Sequence, residues 1–174
     1  MSTRSLITIE HKDGSYKSIY CHSDGYLTHN GAMFLDYFKD REKVEQLLNL
    51  GDISCLAPKV NPDKSKPHSF DYDERQKDVV VAYGRDRGET NVDAKIVSLD
   101  KLFENTWIEY FYVFDTSGKW KYYHYTEPYK LKDVKEDLIK EYENLKIKRP
   151  KNFYGFWTKT HLEKEKEKQQ MERE

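Results

Sequence analysis

What this sequence lacks closes off several classes of function. Two cysteines, Cys21 and Cys55, in 174 residues fall far short of the density that cross-links a small secreted scaffold, and they form no CxxC pair. A reducing, cytoplasmic setting is the expectation. Nowhere does an apolar run approach the roughly 18 residues that a membrane helix takes. The opening residues, MSTRSLITIEHKDG, turn polar before a signal-peptide core develops. The chain is therefore expected to be soluble, unexported and without membrane contact. Net charge is scarce too, since 30 Lys and Arg face 31 Asp and Glu for a formal charge of -1. No long-range field draws in a phosphate backbone, which argues against generic nucleic-acid binding, and no acidic excess suggests a nucleic-acid mimic.

Charged residues are plentiful at 35%, as are aromatics at 14%. Tyr, Phe and Trp must therefore carry much of the core, bringing polar handles with them. The length suits one domain over residues 1–150, with 151–174 as a charged helical or flexible tail.

Local patterns outline an α+β fold. RSLITIEHKDGSYKSIYC reads as a hairpin about Asp13-Gly14, a dipeptide that tolerates the positive φ of a tight turn. Asn30 is positioned to cap a helix carrying Met33, Phe34 and Tyr37. Asp40 does the same for a second helix with Val44, Leu47 and Leu48 on one face and Gly51 as its C-terminal stop. Residues 57–76 have no period and read as a mobile surface loop. DVVVAYG suggests a buried strand, AKIVSL another, and SLDKLFEN one or two helical turns. WIEYFYVFDTSGKWKYYHY reads as a second hairpin, with Trp120, Tyr122 and His124 facing the core and Lys119, Lys121 and Tyr123 facing water. Leu131, Val134, Leu138, Tyr142 and Leu145 trace a helix face up to Pro150. The sum is a mainly antiparallel sheet of about five or six strands, two or three packed helices and a charged C-terminal helix.

Two segments concentrate chemistry. In SIYCHSDGYLTHNG, His22, Asp24, Tyr26 and Asn30 sit between a strand and a helix start, where unpaired backbone N–H groups favour anions. Turn and cap bonding would account for the same residues. Zinc is disfavoured because Cys21 and His22 are adjacent in a strand and point to opposite faces. In YGRDRGE, Arg85 and Arg87 would share a side of an extended loop and could grip a phosphate or carboxylate, unless Asp86, Glu89 or Asp24 engages them internally. An aromatic and basic strand, residues 119–125, could stack bases, although core packing explains it better.

The TRS strand with IYCHSDGYLTHNG, LLNLGDIS and YGRDRGE, in that order over roughly residues 3–125, resembles a family of small proteins encoded by bacteriophages and prophages. Ser23 stands where that family commonly has Trp, which removes an aromatic from the turn. The resemblance implies a phage or prophage context and assigns no catalytic residue. The combined expectation is an accessory protein of the host cytoplasm that binds a host or defence protein, or an anionic small ligand such as a nucleotide. Arg4, His22, Asp24, Tyr26, Asn30, Arg85, Arg87 and Glu89 are its candidate ligand-binding residues, and neither metal nor cofactor is expected. The alternative is a phosphodiester or nucleotide hydrolase in which His22 is the base or acid, Asp24 orients it, and Arg85 and Arg87 stabilise charge.

Overall fold

A computed structural model describes residues 2–148 and 159–173. Alternating apolar residues place the first hairpin as read, with β1 (Ser5–Glu10) antiparallel to β2 (Tyr16–Cys21) and Gly14 at φ +86° in the turn. β3 (Ile53–Cys55) and β4 (Val81–Ala82) extend the sheet beyond β2, whereas β6 (Tyr110–Phe114), β7 (Trp120–His124) and β8 (Glu127–Asp133) extend it beyond β1. β5 (Lys95–Val97) pairs with the Tyr16–Ser18 end of β2, the edge that β3 meets at Cys21. The β1–β6 and β2–β3 pairings are parallel and the other strand pairings antiparallel.

The fold is α+β as expected, with a larger sheet than the five or six strands anticipated. β8 was hidden because EPYKLKD is exposed along most of its length and lacks alternation. Leu131 belongs to this strand and stays exposed, not on the helix face assigned to it. The helix that follows, α5 (Val134–Leu145), starts at Asp133, whose carboxylate accepts from the Glu136 N–H. It ends at Lys146 with φ +56°, and Pro150 lies outside the described residues.

Both faces of the sheet are covered. On one, Ile7, Ile19, Tyr112 and Trp120 pack with α1 (Ala32–Tyr37), α2 (Arg41–Asn49) and Val134 of α5. Phe34 stacks on Trp120 at 4.1 Å and meets Tyr112 edge-on at 4.9 Å. As read, Asp40 caps α2 through the Lys43 N–H, and Gly51 follows at φ +76°. On the other face Phe111, Val113 and Tyr123 pack with Leu102 and Phe103 of α4 (Leu99–Phe103). Tyr123, expected in water, is buried because α4 roofs that side of β7.

Residues 57–76 contain no helix or strand beyond one 3-10 turn at Tyr72–Glu74. Side-chain bonding stands in for it, with the Gln76 amide donating to the carbonyls of Asp63, Lys66 and Pro67 and accepting from the Asp63 N–H. At the C-terminal end α6 (Lys159–Arg173) is charged and without an apolar stripe, as the composition indicated. The Gln169 side chain bonds both backbone groups of Lys148.

Candidate functional site

The turn after β2 is built on backbone constraints. Asp24 holds φ +55°, a region that Asn and Asp enter more readily than most residues. Gly25 donates to the Thr3 carbonyl at 2.8 Å, and a Cβ there would lie 2.8 Å from the Ser5 Cβ. The chain then coils into a short π-type turn, Leu27–Gly31, that runs into α1. Asn30 is inside this turn, so it does not cap the helix as expected. Its amide faces Ser5 Oγ, Cys21 Sγ and the Ser23 carbonyl at 3.4–3.5 Å, while its oxygen meets His29 Nδ1 at 2.8 Å. Tyr112 anchors the turn from β6 by donating to the Gly25 carbonyl at 2.6 Å. Tyr112→Phe would strand that buried acceptor, and a loss of about 1–3 kcal/mol in denaturant unfolding is expected.

Cys21 is fully buried, and burial pushes its thiol up to about 12, which removes it as a nucleophile near neutral pH. His22 and Asp24 diverge. His22 Nδ1 shares a 2.7 Å hydrogen bond with the Tyr20 hydroxyl. The Asp24 carboxylate instead takes the Tyr26 hydroxyl at 3.4 Å and lies 3.9 Å from His29 Nε2. Burial and the Asp24 charge both hold the Tyr26 hydroxyl above its ordinary range. No His22–Asp24 hydrogen bond forms among the described residues, and no group of three His, Cys, Asp or Glu residues there could hold a metal ion.

YGRDRGE is not the extended loop expected. Tyr83–Arg87 is a helical turn, α3, closed by Gly88 at φ +74°. Helical spacing drives Asp86 inward, where 3% of its side chain is exposed. Arg85 donates to both of its oxygens at 2.8 and 3.0 Å, and to the carbonyls of Val60 and Val80 at 2.6 Å each. The Ala82 N–H donates to the same carboxylate at 2.8 Å, and His68 Nε2 lies 3.2 Å away. Arg87 pairs with Glu89 and lies over the rings of Phe70 and Tyr83. Both guanidiniums are thus engaged internally, and they fasten the 57–76 segment to β4. Neither Arg85, Arg87 nor Glu89 lines a cavity described below.

An open groove of about 650 Å³ lies on the α4 face of the sheet. Alternation in β1 and β2 brings Leu6, Ser18 and Tyr20 to its floor. Arg4 enters just before β1, Asp52 after α2, Lys95 on β5 and Lys101 on α4, with Trp107 at the rim. Trp107 is 72% exposed, with the Arg4 guanidinium 5.8 Å from its ring centre. Among the described residues Arg4 makes no ion pair, while Lys101 pairs with Glu104 at 3.2 Å. Burial raises the Asp52 carboxyl, outweighing the Tyr20 N–H bond and the Lys95 charge that pull it down. Burial likewise raises the Tyr20 hydroxyl, against the opposing Arg4 charge and hydrogen bond.

The groove gathers Arg4 and, through Tyr20, His22. Asp24 looks instead into a second, smaller cavity with His29. Tyr26 and Asn30 support the turn and line neither. Sequence reasoning missed Tyr20, Asp52, Lys95, Lys101 and Trp107. For Asp52 and Tyr20 a signal existed, since both lie in segments already singled out, LLNLGDIS and IYCHSDGY. Comparison with protein-family models, with curated proteins and with solved structures returns no match.

Proposed function

We propose that the protein binds an anionic small ligand such as a nucleotide in the open groove, as a phage or prophage accessory protein that modulates a host or anti-phage system. One observation carries the reading. Arg4 of TRS, Tyr20 of IYCHSDGY and Asp52 of LLNLGDIS, far apart in sequence, line one groove beside Lys95, Lys101 and an exposed Trp107. An arginine free of internal ion pairs suits a phosphate, which it can grip through two parallel N–H bonds. Trp107 offers an indole face for a base, and such stacking is tolerant of base identity. Asp52 supplies an acceptor for a ribose hydroxyl or a ring N–H. Binding of this kind needs no proton transfer, and removing a signalling nucleotide from solution would by itself affect a host response.

A hydrolase would need an oriented base, and the His22–Asp24 pairing that was to supply it is replaced by His22–Tyr20 and Asp24–His29 contacts. The test is to dialyse the purified chain against a nucleotide panel and analyse the bound and free pools by chromatography. Recovery of unchanged nucleotide from the protein is expected, with Arg4→Ala weakening binding about 30-fold and Trp107→Ala about tenfold. Product in the free pool would transfer the site to the hydrolase reading. Absence of any bound nucleotide would leave a host or defence protein as the partner.

A further inference from the structure

The second cavity shares no lining residue with the groove and holds about 270 Å³, below the roughly 300–1,000 Å³ of pockets for drug-sized ligands. Leu56, Ala57, Pro58, Val79 and Val81, from the ends of β3 and β4, give it an apolar wall. Charges of both signs face the same space. Asp24 stands on one side, held by the positive φ of its turn, and its sole ion-pair partner among the described residues is His29 at 3.9 Å. Arg75 is the other, and it has no carboxylate partner among the described residues.

The Arg75 guanidinium is nonetheless fixed in place. One Nη donates to the Phe70 carbonyl at 2.6 Å, the other lies 4.0 Å from Cys55 Sγ, and the rings of Phe70 and Tyr72 sit 5.7 and 5.8 Å away. Nε is buried without a hydrogen-bond partner. A half-buried charge without a counter-ion is costly, and a ligand that supplies one recovers that cost on binding. Asp24 and Arg75 do not come within ion-pair distance of each other, so they leave room for a molecule between them.

We propose that this cavity binds a small amphipathic zwitterion, an α-amino acid with an apolar side chain, its ammonium on Asp24, its carboxylate on Arg75 and its side chain on the Leu56–Val79–Val81 wall. Lys77 at the lining adds positive charge. A simple anion would meet the like charge of Asp24, and a simple cation would leave Arg75 without a counter-ion. The volume excludes a folded peptide.

The test is calorimetric titration of the full chain with leucine, valine, methionine and phenylalanine, beside N-acetyl-leucine and leucinamide, which each lack one charge. At least one of the four amino acids is expected to bind and to raise the unfolding temperature. Both blocked compounds should bind at least tenfold more weakly than leucine or its best-binding relative. Asp24→Asn, which keeps the backbone because Asn also tolerates positive φ, should weaken the amino acid at least tenfold. Arg75→Gln should do likewise, with circular dichroism checking that it folds. If none of the four binds at about 10 mM, if N-acetyl-leucine binds equally well, or if Asp24→Asn has no effect, the assignment is overturned. Because the nucleotide groove is separate, failure here leaves that reading intact, and the converse holds.

Discussion

Asp86→Asn is expected to lower stability by about 3 kcal/mol, the lower end of what breaking a buried ion pair costs. Its side chain is 3% exposed while Arg85 is 25% exposed, so the orphaned guanidinium recovers some hydration and the upper end is not reached. The asparagine keeps one acceptor oxygen, which in the place of Oδ2 can still take the Ala82 N–H and Arg85 Nη2, but its NH2 then faces the Arg85 Nε–H, and that donor loses its partner. The damage should be local as well as global. Amide exchange at Phe70, which bonds the Asp86 carbonyl, and at Ala82 should accelerate ahead of amides in β1 and β6. Burial alone would raise the Asp86 carboxyl, yet its hydrogen bonds to Arg85 and Ala82, with the charges of Arg85 and His68, together hold it below the ordinary value. A carboxyl depressed in the native state stabilises above its unfolded pKa of about 3.9, and that stability disappears as pH falls through the native value. The wild type should therefore lose stability on acidification through this region faster than Asp86→Asn does. A variant within 1 kcal/mol of wild type, with the same acid profile, would show that the knot contributes little.

Gly51→Ala is expected to cost about 3 kcal/mol and to disable the groove. Gly51 is at φ +76°, where an alanine costs about 1–2 kcal/mol from backbone sterics alone. Its new Cβ would also lie 2.2 Å from the Val92 carbonyl oxygen, a backbone atom with no rotamer to escape into. That carbonyl accepts from the Asp52 N–H at 2.7 Å, so the 92–95 segment and Asp52 must separate. Lys95 and Asp52 both line the groove, which links the fold defect to ligand affinity. The check is paired urea unfolding and nucleotide titration. Preserved stability would mean that the 92–95 segment yields, and preserved affinity would remove Asp52 and Lys95 from the site.

Much of the fold was legible because local forces dictate it. Alternation wrote out both hairpins, Asp13-Gly14 and the glycine at 118 marked their turns, and Asp40 with Gly51 bracketed α2. The misses have physical causes. β8 exposes most of its residues, so no apolar rhythm betrays it, and its strand character comes from backbone pairing with β7. Tyr123 was assigned to water because alternation names two faces without saying that α4 covers the second. Asn30 carries a capping residue type, but the π-type turn absorbs it two residues before α1 begins, and Gly31 takes the cap position.

The candidate site divided along the same line. Arg4 and the turn containing His22 and Asp24 were found, whereas the company each keeps was not. Arg85 and Arg87 are indistinguishable in sequence from ligand-gripping arginines; the helical turn that buries Asp86 between Arg85, Ala82 and His68 makes them structural. Composition, charge balance and periodicity determined an α+β chain without a large net field, because those properties act locally or sum over residues whatever the arrangement. Only the tertiary structure decided that Arg4, Tyr20, Asp52 and Lys95 meet, that Asp24 faces Arg75's cavity, and that the arginine motif points inward. These are encounters between segments tens of residues apart, set by strand order and packing, and no local pattern encodes them.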